Sequence, residues 1–357
     1  MSADRFDELR RAADEGGLRA LAAHLDDPTV AAALGRFERR RRRVWPLLLA
    51  VLTFLLPIVA VGATTVTGLR VGSTDAPNGY VGPTQVFSGG GGGGGIVQTL
   101  GPGGIPTANC GAALVTCLTS NQTSDYQFST VNGTLDCQSH TLKKLIVNAD
   151  GATAQNCFIS GAGNAGIYAI GANITIQNND VSHVNEGGAG DINAVTWFGD
   201  GMKLLFNNYH DVVSGALNGS HTDCMQTWAT GTSIYGKARN ASSNVLIKGN
   251  RCTGPPASDP NYIHQCSMAE GPDTTDGGGG GSGVSQNWTF EDNYCQTYGT
   301  QNLKFDDIHT VMVRRNTFAG SANKVVATGS LSTGITFVTS GADANIITGS
   351  YGATVGS

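Results

Sequence analysis

Charged residues are scarce in this sequence and make up 14% of its 357 residues. They are also unevenly distributed. Residues 1–43 contain ten arginines and eight acidic residues, so the rest of the chain has twelve basic and nineteen acidic residues, a net charge of −7. Nucleic-acid binding requires clustered lysines and arginines that contact phosphates. A weakly charged, acidic body gives no support for it, and no nucleic-acid partner is expected.

Charge is absent from residues 44–63, VWPLLLAVLTFLLPIVAVGA. An apolar run of about 20 residues is long enough to cross a bilayer, and a preceding basic cluster such as Arg39–Arg43 stays in the cytoplasm. The sequence therefore predicts a helical, Arg-rich cytoplasmic tail over 1–43, a single-pass signal-anchor in the cell membrane over 44–63, and an extracellular body. Secretion after cleavage near Ala63 is the alternative. The anchor is favoured because a 43-residue tail is longer than an ordinary signal-peptide n-region.

Cysteine is absent from the first 109 residues, and all eight cysteines lie between Cys110 and Cys295. No CxxC spacing occurs, which argues against a zinc site. On the external side of a membrane the cysteines would be in an oxidising compartment, where they can form disulfides.

Residues 64–109 are rich in Gly, Pro, Thr and Ser and include seven consecutive glycines, Gly89–Gly95. No GK[ST] follows that run, so it is not a phosphate-binding loop. The composition predicts a flexible linker before the main domain, which is expected over 110–350.

The main domain contains an internal repeat, which determines the expected architecture. In its commonest form the pattern is an apolar residue, any residue, an apolar residue, two mostly polar residues, Asn, any residue and an apolar residue. The copies are ITIQNNDV, KLLFNNYH, VLIKGNRC, WTFEDNYC and VMVRRNTF, preceded by the degenerate ATAQNCF. The aligned asparagines are Asn156, Asn179, Asn208, Asn250, Asn293 and Asn316.

The alternating apolar residues predict a short strand with one buried face, and the Asn is expected at the following turn, in a left-handed conformation that Asn tolerates. Stacked turns would let each Asn amide hydrogen bond to its neighbours above and below. The unit repeats because it cannot bury its apolar face alone. The pattern resembles that of right-handed parallel β-helix proteins of the pectate-lyase-like superfamily. The resemblance implies an all-β, single-stranded solenoid over about residues 110–350.

The spacing of the cysteines predicts how they pair. Residues stacked one coil apart lie roughly 4.8 Å from each other, a distance that suits a disulfide. The predicted pairs are Cys224–Cys266, Cys252–Cys295 and Cys137–Cys157. If the domain begins with a capping helix, Cys110 and Cys117 are separated by about 10.5 Å of rise and cannot pair. The alternative is that the cysteines are reduced and fill the core.

Each coil has a second strand, richer in polar residues, before its Asn strand: INAVTWFGDG, HTDCMQTW, IHQCSMAEG and QNLKFDD. Function is expected on the outer face of these strands, where successive coils form a groove suited to a long polymer. The candidate catalytic residues are His221, Asp223, His264 and Lys304. The candidate substrate-binding residues are Asn193, Trp197, Gln226 and Trp228.

These residue types suit glycosidic bonds, because paired carboxylates support hydrolysis, whereas a lysine base with carboxylate-bound Ca²⁺ supports β-elimination. Asp306 and Asp307 are the candidate ligands for Ca²⁺, the one cofactor considered. HTDCMQ resembles the H-x-D-x-x-Q motif of secreted bacterial β-helix proteins. With His264 and Lys304 it also resembles polygalacturonase-type hydrolases in part, but Asn302 stands where that family has an arginine. A polysaccharide partner is expected, and the choice between lyase and hydrolase stays open.

A non-catalytic adhesin or surface-structure module is the competing expectation. A catalytic site predicts that His221, Asp223 and at least one of His264, Lys304 and Asp306 share one groove, whereas an adhesin predicts a scattered set. Strict alternation along HTDCMQTW would place Asp223 and Gln226 on opposite faces unless the strand kinks.

Overall fold

The computed structural model describes residues 79–81, 84–87, 96–184, 191–212, 221–259, 262–274 and 279–356. All of them belong to one compact unit, residues 73–357. Within these ranges the secondary structure consists of strands and turns, and no helix that could span a membrane occurs. The predicted cytoplasmic tail, 1–43, and signal-anchor, 44–63, lie outside the described residues.

The strands, in chain order, are β1 Gly79–Val81, β2 Thr84–Phe87, β3 Ile96–Thr99, β4 Val115–Cys117, β5 Gln122–Phe128, β6 Thr134–Asp136, β7 Thr141–Val147, β8 Thr153–Gln155, β9 Phe158–Ser160, β10 Ala165–Ile170, β11 Thr175–Gln177, β12 Asp180–Ser182, β13 Asp191–Phe198, β14 Lys203–Leu205, β15 Asn208–His210, β16 His221–Trp228, β17 Ser233–Ile234, β18 Lys237–Ala238, β19 Leu246–Lys248, β20 Arg251–Thr253, β21 Gln265–Glu270, β22 Gln286–Glu291, β23 Tyr294–Thr297, β24 Gln301–Asp306, β25 His309–Arg314, β26 Thr317–Thr328, β27 Thr333–Phe337, β28 Ile346–Ile347 and β29 Ser350–Gly356.

From β4 onward the strands form an all-β solenoid in which each coil contributes one strand to each of three faces. Face 1 contains the longer strands β10, β13, β16, β21 and β24, and face 2 contains β8, β11, β14, β19, β22 and β25. Face 3 contains β9, β12, β15, β20 and β23. Successive strands on every face pair in parallel, and β26 is long enough to contribute to both face 3 and face 1. The predicted all-β solenoid of parallel strands is confirmed.

The two apolar residues of most copies of the Asn pattern lie in the interior. Examples are Ile174 and Ile176, before and on β11, and Val245 and Ile247, before and on β19, all of which are buried. Burial of one face of a short strand requires a neighbouring coil on each side. The repeat in the sequence is therefore the physical unit of the solenoid.

Asparagine side chains form a ladder at the turn between face 2 and face 3. In the ladder, the Oδ1 atom of one Asn accepts hydrogen bonds from the backbone N–H and the Nδ2 of the preceding one. The members are Asn179, Asn207, Asn250, Asn293, Asn316 and Asn345. Two predicted members were wrong: Asn207 replaces Asn208, and Cys157 takes the position assigned to Asn156, where its N–H donates to Asn179 Oδ1.

The left-handed turn residue is also not the ladder Asn but the residue before it. Positive φ angles occur at Asn156, Asn178, Phe206, Asp292 and Arg315, and at Gly249. The ladder Asn needs an orientation in which its amide reaches both neighbouring coils, and the preceding residue provides the bend. Because Phe206 and Arg315 also adopt this conformation, stacking in the solenoid overrides the local preference for Asn or Gly.

All eight cysteines form disulfides, but two of the predicted pairs were wrong. The bonds are Cys110–Cys117, Cys137–Cys157, Cys224–Cys252 and Cys266–Cys295. Of the three predicted pairs, Cys137–Cys157 is confirmed, with its Cα atoms 4.8 Å apart. Cys224–Cys252 and Cys266–Cys295 each join face 1 to face 3 across the interior of one coil, over Cα distances of 5.9 and 5.6 Å.

The cause of the wrong pairing is the direction of the side chains. Cys252 and Cys295 are indeed register partners on adjacent strands. Side chains of adjacent parallel strands, however, point the same way, whereas residues on facing strands point at each other. Cys224, Cys252, Cys266 and Cys295 were expected to pair between neighbouring coils, along the stack. They pair instead within one coil, across its interior.

The segment predicted as a linker, 64–109, contains structure in its described part. Strands β1, β2 and β3 form an antiparallel sheet. Gly101 N–H donates to the carbonyl of Phe206, and Ala108 N–H donates to Asp136. The capping helix considered for the start of the domain is replaced by turns, so Cys110 and Cys117 approach to a Cα distance of 5.5 Å and pair.

Candidate functional site

The outer side of face 1 carries most of the residues singled out from the sequence, because the strands there depart from strict alternation. Consecutive residues Ala194 and Val195 on β13 both belong to the hydrophobic core. Cys224 and Met225 on β16 do the same. This shift by one residue is the departure from strict alternation that lets Asp223 and Gln226 both lie on the outer side.

Hydrogen bonds confirm that these polar side chains lie on the same, outer side of face 1. Asn193 and Asp223 are register partners on β13 and β16. Asn193 Nδ2 donates to Gln226 Oε1 at 2.5 Å and to Thr196 Oγ1 at 3.1 Å. Gln226 Nε2 in turn lies 3.6 Å from Met268 Sδ on β21. Side chains from three successive coils thus meet on one surface.

A cavity of 390 Å³ lies on this surface toward the C-terminal coils. Its lining residues are His221, His264, Gln265, Met268, Thr300, Gln301, Lys304, Asp306, Ala327, Thr328 and Gly329. Four of the residues predicted from the sequence, His221, His264, Lys304 and Asp306, therefore surround one opening. Residues from β16, β21, β24 and β26 meet there because each coil places its face 1 strand beside the previous one.

His264 is held in one tautomer. Its Nδ1 accepts the backbone N–H of Thr222 at 3.1 Å, so a neutral ring carries its proton on Nε2. Burial, and then the neighbouring His221 ring at a centroid distance of 5.7 Å, lower the pKa of His264 below its ordinary value of 6.5. At neutral pH the His264 imidazole is therefore uncharged.

Lys304 forms an ion pair within the site. Its Nζ lies 2.8 Å from Glu270 Oε1, with side-chain exposures of 16% for Lys304 and 3% for Glu270. Glu270 and Asp306 are register partners on β21 and β24. Thr274 Oγ1 donates to Asp306 Oδ2 at 2.5 Å. Two carboxylates and one ammonium therefore lie next to one another along the groove.

Asp223 is fully buried beside these charges. By distance and angle neither of its carboxylate oxygens has a close hydrogen-bond partner within the described part of the chain, although the backbone N–H of Gln265 lies near enough to act on it and lower its pKa. Burial first, and then the negative charges of Asp191 and Glu270, raise the pKa of Asp223 well above its ordinary range, while Lys304 acts in the opposite direction. Its surroundings therefore favour the neutral acid form of Asp223 more than water does.

Asp306 and Asp307, the candidate Ca²⁺ ligands, are not brought together. Asp306 faces the cavity, whereas Asp307 Oδ2 accepts the backbone N–H of Asp273 at 2.8 Å and its Oδ1 lies 3.3 Å from His309 Nε2. Asp307 has a φ of 57°, so the chain turns between the two carboxylates. In the ranges that the structure describes, no group of three or more His, Cys, Asp or Glu residues could hold a metal ion.

The two candidate tryptophans have different environments. Trp197 is fully buried in the interior, where its ring lies 5.9 Å from that of Trp288, so it cannot stack on a sugar in the groove. Trp228 lies on the outer side, 5.1 Å from the ring of Phe198 and under the Arg239 guanidinium at 5.4 Å. Only Trp228 remains a candidate for contact with a ligand.

Sequence reasoning missed several residues of the site. Gln265, Met268 and Gln301 line the cavity, and a consistent strand register would have indicated them. The β17–β18 hairpin was also missed. It reaches back toward earlier coils, where Tyr235 packs on Tyr168 and Lys237 pairs with Asp150 at 2.7 Å.

A second charged cluster lies on face 3, around His210 on β15. Its Nδ1 lies 2.7 Å from Asp211 Oδ2, and its Nε2 lies 3.1 Å from Asp180 Oδ1. The hydrogen bond to Asp180 is the main reason why the pKa of His210 rises to about 9, and burial partly opposes it. His210 is therefore charged at neutral pH and joins two coils.

This pKa predicts a loss of stability in alkali. Because the folded pKa exceeds the ordinary value of 6.5, the stabilisation is complete below that value and is lost as pH rises through about 9. With allowance for partial exposure, the expected loss is about 1–2 kcal/mol. The measurement is the free energy of unfolding at several pH values between these limits for the wild type and His210→Gln. Equal slopes for the two proteins would contradict the prediction.

Comparisons of the chain with protein-family models, with curated proteins and with solved structures give no match.

Proposed function

We propose that the protein is an extracellular right-handed parallel β-helix of the pectate-lyase-like type that binds and cleaves polysaccharide in the face 1 groove. The observation that carries the proposal is the convergence of His221, His264, Lys304 and Asp306 on one cavity of 390 Å³. A scattered set was the expectation for an adhesin. Clustered acid, base and cation in one groove are what cleavage of a glycosidic bond requires.

Two features favour hydrolysis over β-elimination. Lys304 is hydrogen bonded to Glu270, which favours its charged form, whereas a lysine base must be neutral. Glu270 and Asp306 are register partners, so their backbones lie about one strand spacing, roughly 4.8 Å, apart and their side chains extend in the same direction. Retaining glycosidases place their two carboxyl groups about 5–5.5 Å apart. In the proposed reaction one of these carboxyl groups donates a proton to the leaving oxygen as the glycosidic bond breaks, and the other attacks the sugar. Water, deprotonated by the first group, then hydrolyses the glycosyl-enzyme bond and frees the second carboxylate.

Export of the body is part of the proposal. Four disulfides in a described region of this size are typical of an oxidising compartment. Together with Arg39–Arg43 and the uncharged run 44–63, they support a single-pass protein with a cytoplasmic N-terminus. Release by cleavage near Ala63 is the alternative, and the molecular mass of the mature protein distinguishes the two.

The test is activity of the purified full-length protein on acidic and neutral polysaccharides, with and without Ca²⁺. Reducing ends report hydrolysis, and absorbance of unsaturated products reports elimination. Hydrolysis is expected, and Asp306→Asn or Glu270→Gln should reduce it by a factor of about 10² or more, the lower end of the contribution of one positioned acid or base. Asp125→Asn, a carboxylate on β5 in an early coil, is the matched control and should retain full activity.

Binding without turnover would favour the second candidate, a non-catalytic polysaccharide-binding module. One observation supports that candidate: Asp306 and Lys304 already have protein partners, Thr274 and Glu270, as in a structural network. Unsaturated products that require Ca²⁺ would replace hydrolysis by elimination. Absence of both binding and turnover across the panel would contradict the proposal.

A further inference from the structure

Three outward side chains form a continuous row across three coils of face 1. Asn193 on β13 is the register partner of Asp223 on β16, which in turn is the register partner of Gln265 on β21. Their exposed fractions are 1%, 0% and 5%. Gln265 also lines the cavity, so the row extends from the cavity into the buried part of the groove.

The unpaired side-chain atoms of the row are all oxygens, and each can accept a hydrogen bond when Asp223 is ionised. Asn193 Oδ1, both oxygens of Asp223 and Gln265 Oε1 are buried and make no hydrogen bond of good geometry with the described residues, although the backbone N–H of Gln265 lies near enough to Asp223 to lower its pKa. The orientation of Asn193 is fixed, because its Nδ2 donates to Gln226 and Thr196. Buried acceptors without a donor are rare in folded proteins, and three in register point to a ligand that supplies donors.

The surrounding charge indicates a cationic ligand. Asp191 and Glu270 lie close enough to Asp223 to act on its charge, and the nearby cation, Lys304, is hydrogen bonded to Glu270. An acidic polymer would therefore bring carboxylates toward carboxylates. An ammonium group has three N–H donors, which matches three acceptor residues.

A metal ion fits the row less well. Calcium takes six to eight oxygen ligands. The row supplies four side-chain oxygens, and no set of three or more His, Cys, Asp or Glu within the described ranges forms a metal-binding group. The donor count therefore favours an ammonium group over Ca²⁺.

We propose that Asn193, Asp223 and Gln265 form a subsite for a protonated amino group, and that the polysaccharide bound in the groove is one with free amino groups. This inference rests on the proposed function and specifies its substrate class. A bound ammonium stabilises the Asp223 carboxylate, so Asp223 ionises when the ligand binds. In this role Asp223 is a binding residue, and Glu270 and Asp306 act on the glycosidic bond.

The test compares two oligosaccharides that differ only at the amino group. Glucosamine and N-acetylglucosamine oligomers of equal length are titrated calorimetrically into the full-length protein, at a pH at which the amines are protonated. The wild type should bind the amino oligomer at least about tenfold more tightly, as expected for charge-assisted hydrogen bonds to a buried carboxylate. Asp223→Asn should abolish the preference, and the control Asp125→Asn should retain it.

A gain-of-function variant keeps the test decisive if Asp223→Asn does not fold. Gln265→Glu adds a second carboxylate to the row and should increase the preference for the amino oligomer further. Equal affinities of the wild type for the two oligomers would overturn the subsite but leave polysaccharide binding intact. Tight binding of Ca²⁺ alone that requires Asp223, with no amine preference, would identify a metal site instead. If neither oligomer binds while another polysaccharide is cleaved, the substrate class is wrong and the proposed function stands.

Discussion

Replacement of Asn207 by alanine is expected to lower the free energy of unfolding by about 3–5 kcal/mol, because it leaves several buried groups without partners. Asn207 Oδ1 accepts the backbone N–H and the Nδ2 of Asn179 at 3.0 and 3.1 Å. Its own Nδ2 donates to the Ile176 carbonyl and to Asn250 Oδ1, both at 2.9 Å. Alanine removes all four bonds at a side chain that is fully buried.

The adjacent residue, Asn208, provides a matched control. Its Nδ2 makes one hydrogen bond, to Asp180 Oδ2 at 2.7 Å, and Asp180 keeps its contact with His210. Asn208→Ala is therefore expected to cost only about 1 kcal/mol. Denaturant unfolding of the two variants measures the difference. Similar losses would mean that the ladder contributes less than its bond count indicates.

The repeat made the architecture predictable, because alternating apolar residues followed by Asn require a strand, a turn and a neighbouring coil. The register was harder to assign where two asparagines are adjacent. In KLLFNNYH the predicted pattern starts at Lys203, whereas the inward residues are Met202 and Leu204. Both readings contain an Asn at the required place, and only the stacking partners decide between Asn207 and Asn208.

The groove residues were predictable as a group but not in detail. The register of the coils brings His221, His264 and Lys304 together, because polar residues at equivalent positions of successive strands lie beside one another. The local shift in alternation on β13 and β16 was not predictable, because it depends on how Val195 and Met225 fit the interior. The same shift places Trp197 inside and leaves Gln226 outside.

The contacts of the β17–β18 hairpin with earlier coils also could not be predicted. Contacts such as that between Asn148 Nδ2 and the Tyr235 carbonyl, at 2.8 Å, join residues 87 positions apart that belong to no shared periodicity. A periodic pattern specifies the coils, whereas an insertion between coils has only local turn chemistry to indicate its course.

Loss of a disulfide that crosses the interior is the other change with a large expected effect. Cys224–Cys252 closes a loop of 28 residues between face 1 and face 3. A disulfide of this kind typically contributes 2–4 kcal/mol, and the double variant Cys224→Ala with Cys252→Ala is expected to lose about 3 kcal/mol of unfolding free energy. Thermal or denaturant unfolding of the oxidised proteins measures the loss.

Single variants then distinguish pairing across the coil from pairing along the stack. In Cys252→Ala, the cross-coil arrangement leaves the thiol of Cys224 free and keeps Cys266–Cys295 intact. Pairing along the stack would instead free Cys295. Alkylation of the unfolded, unreduced variant followed by peptide mass spectrometry identifies the labelled cysteine. Because Cys224 lies beside Asp223 on β16, the same bond holds the floor of the groove, so cross-coil pairing also predicts weaker ligand binding in the double variant.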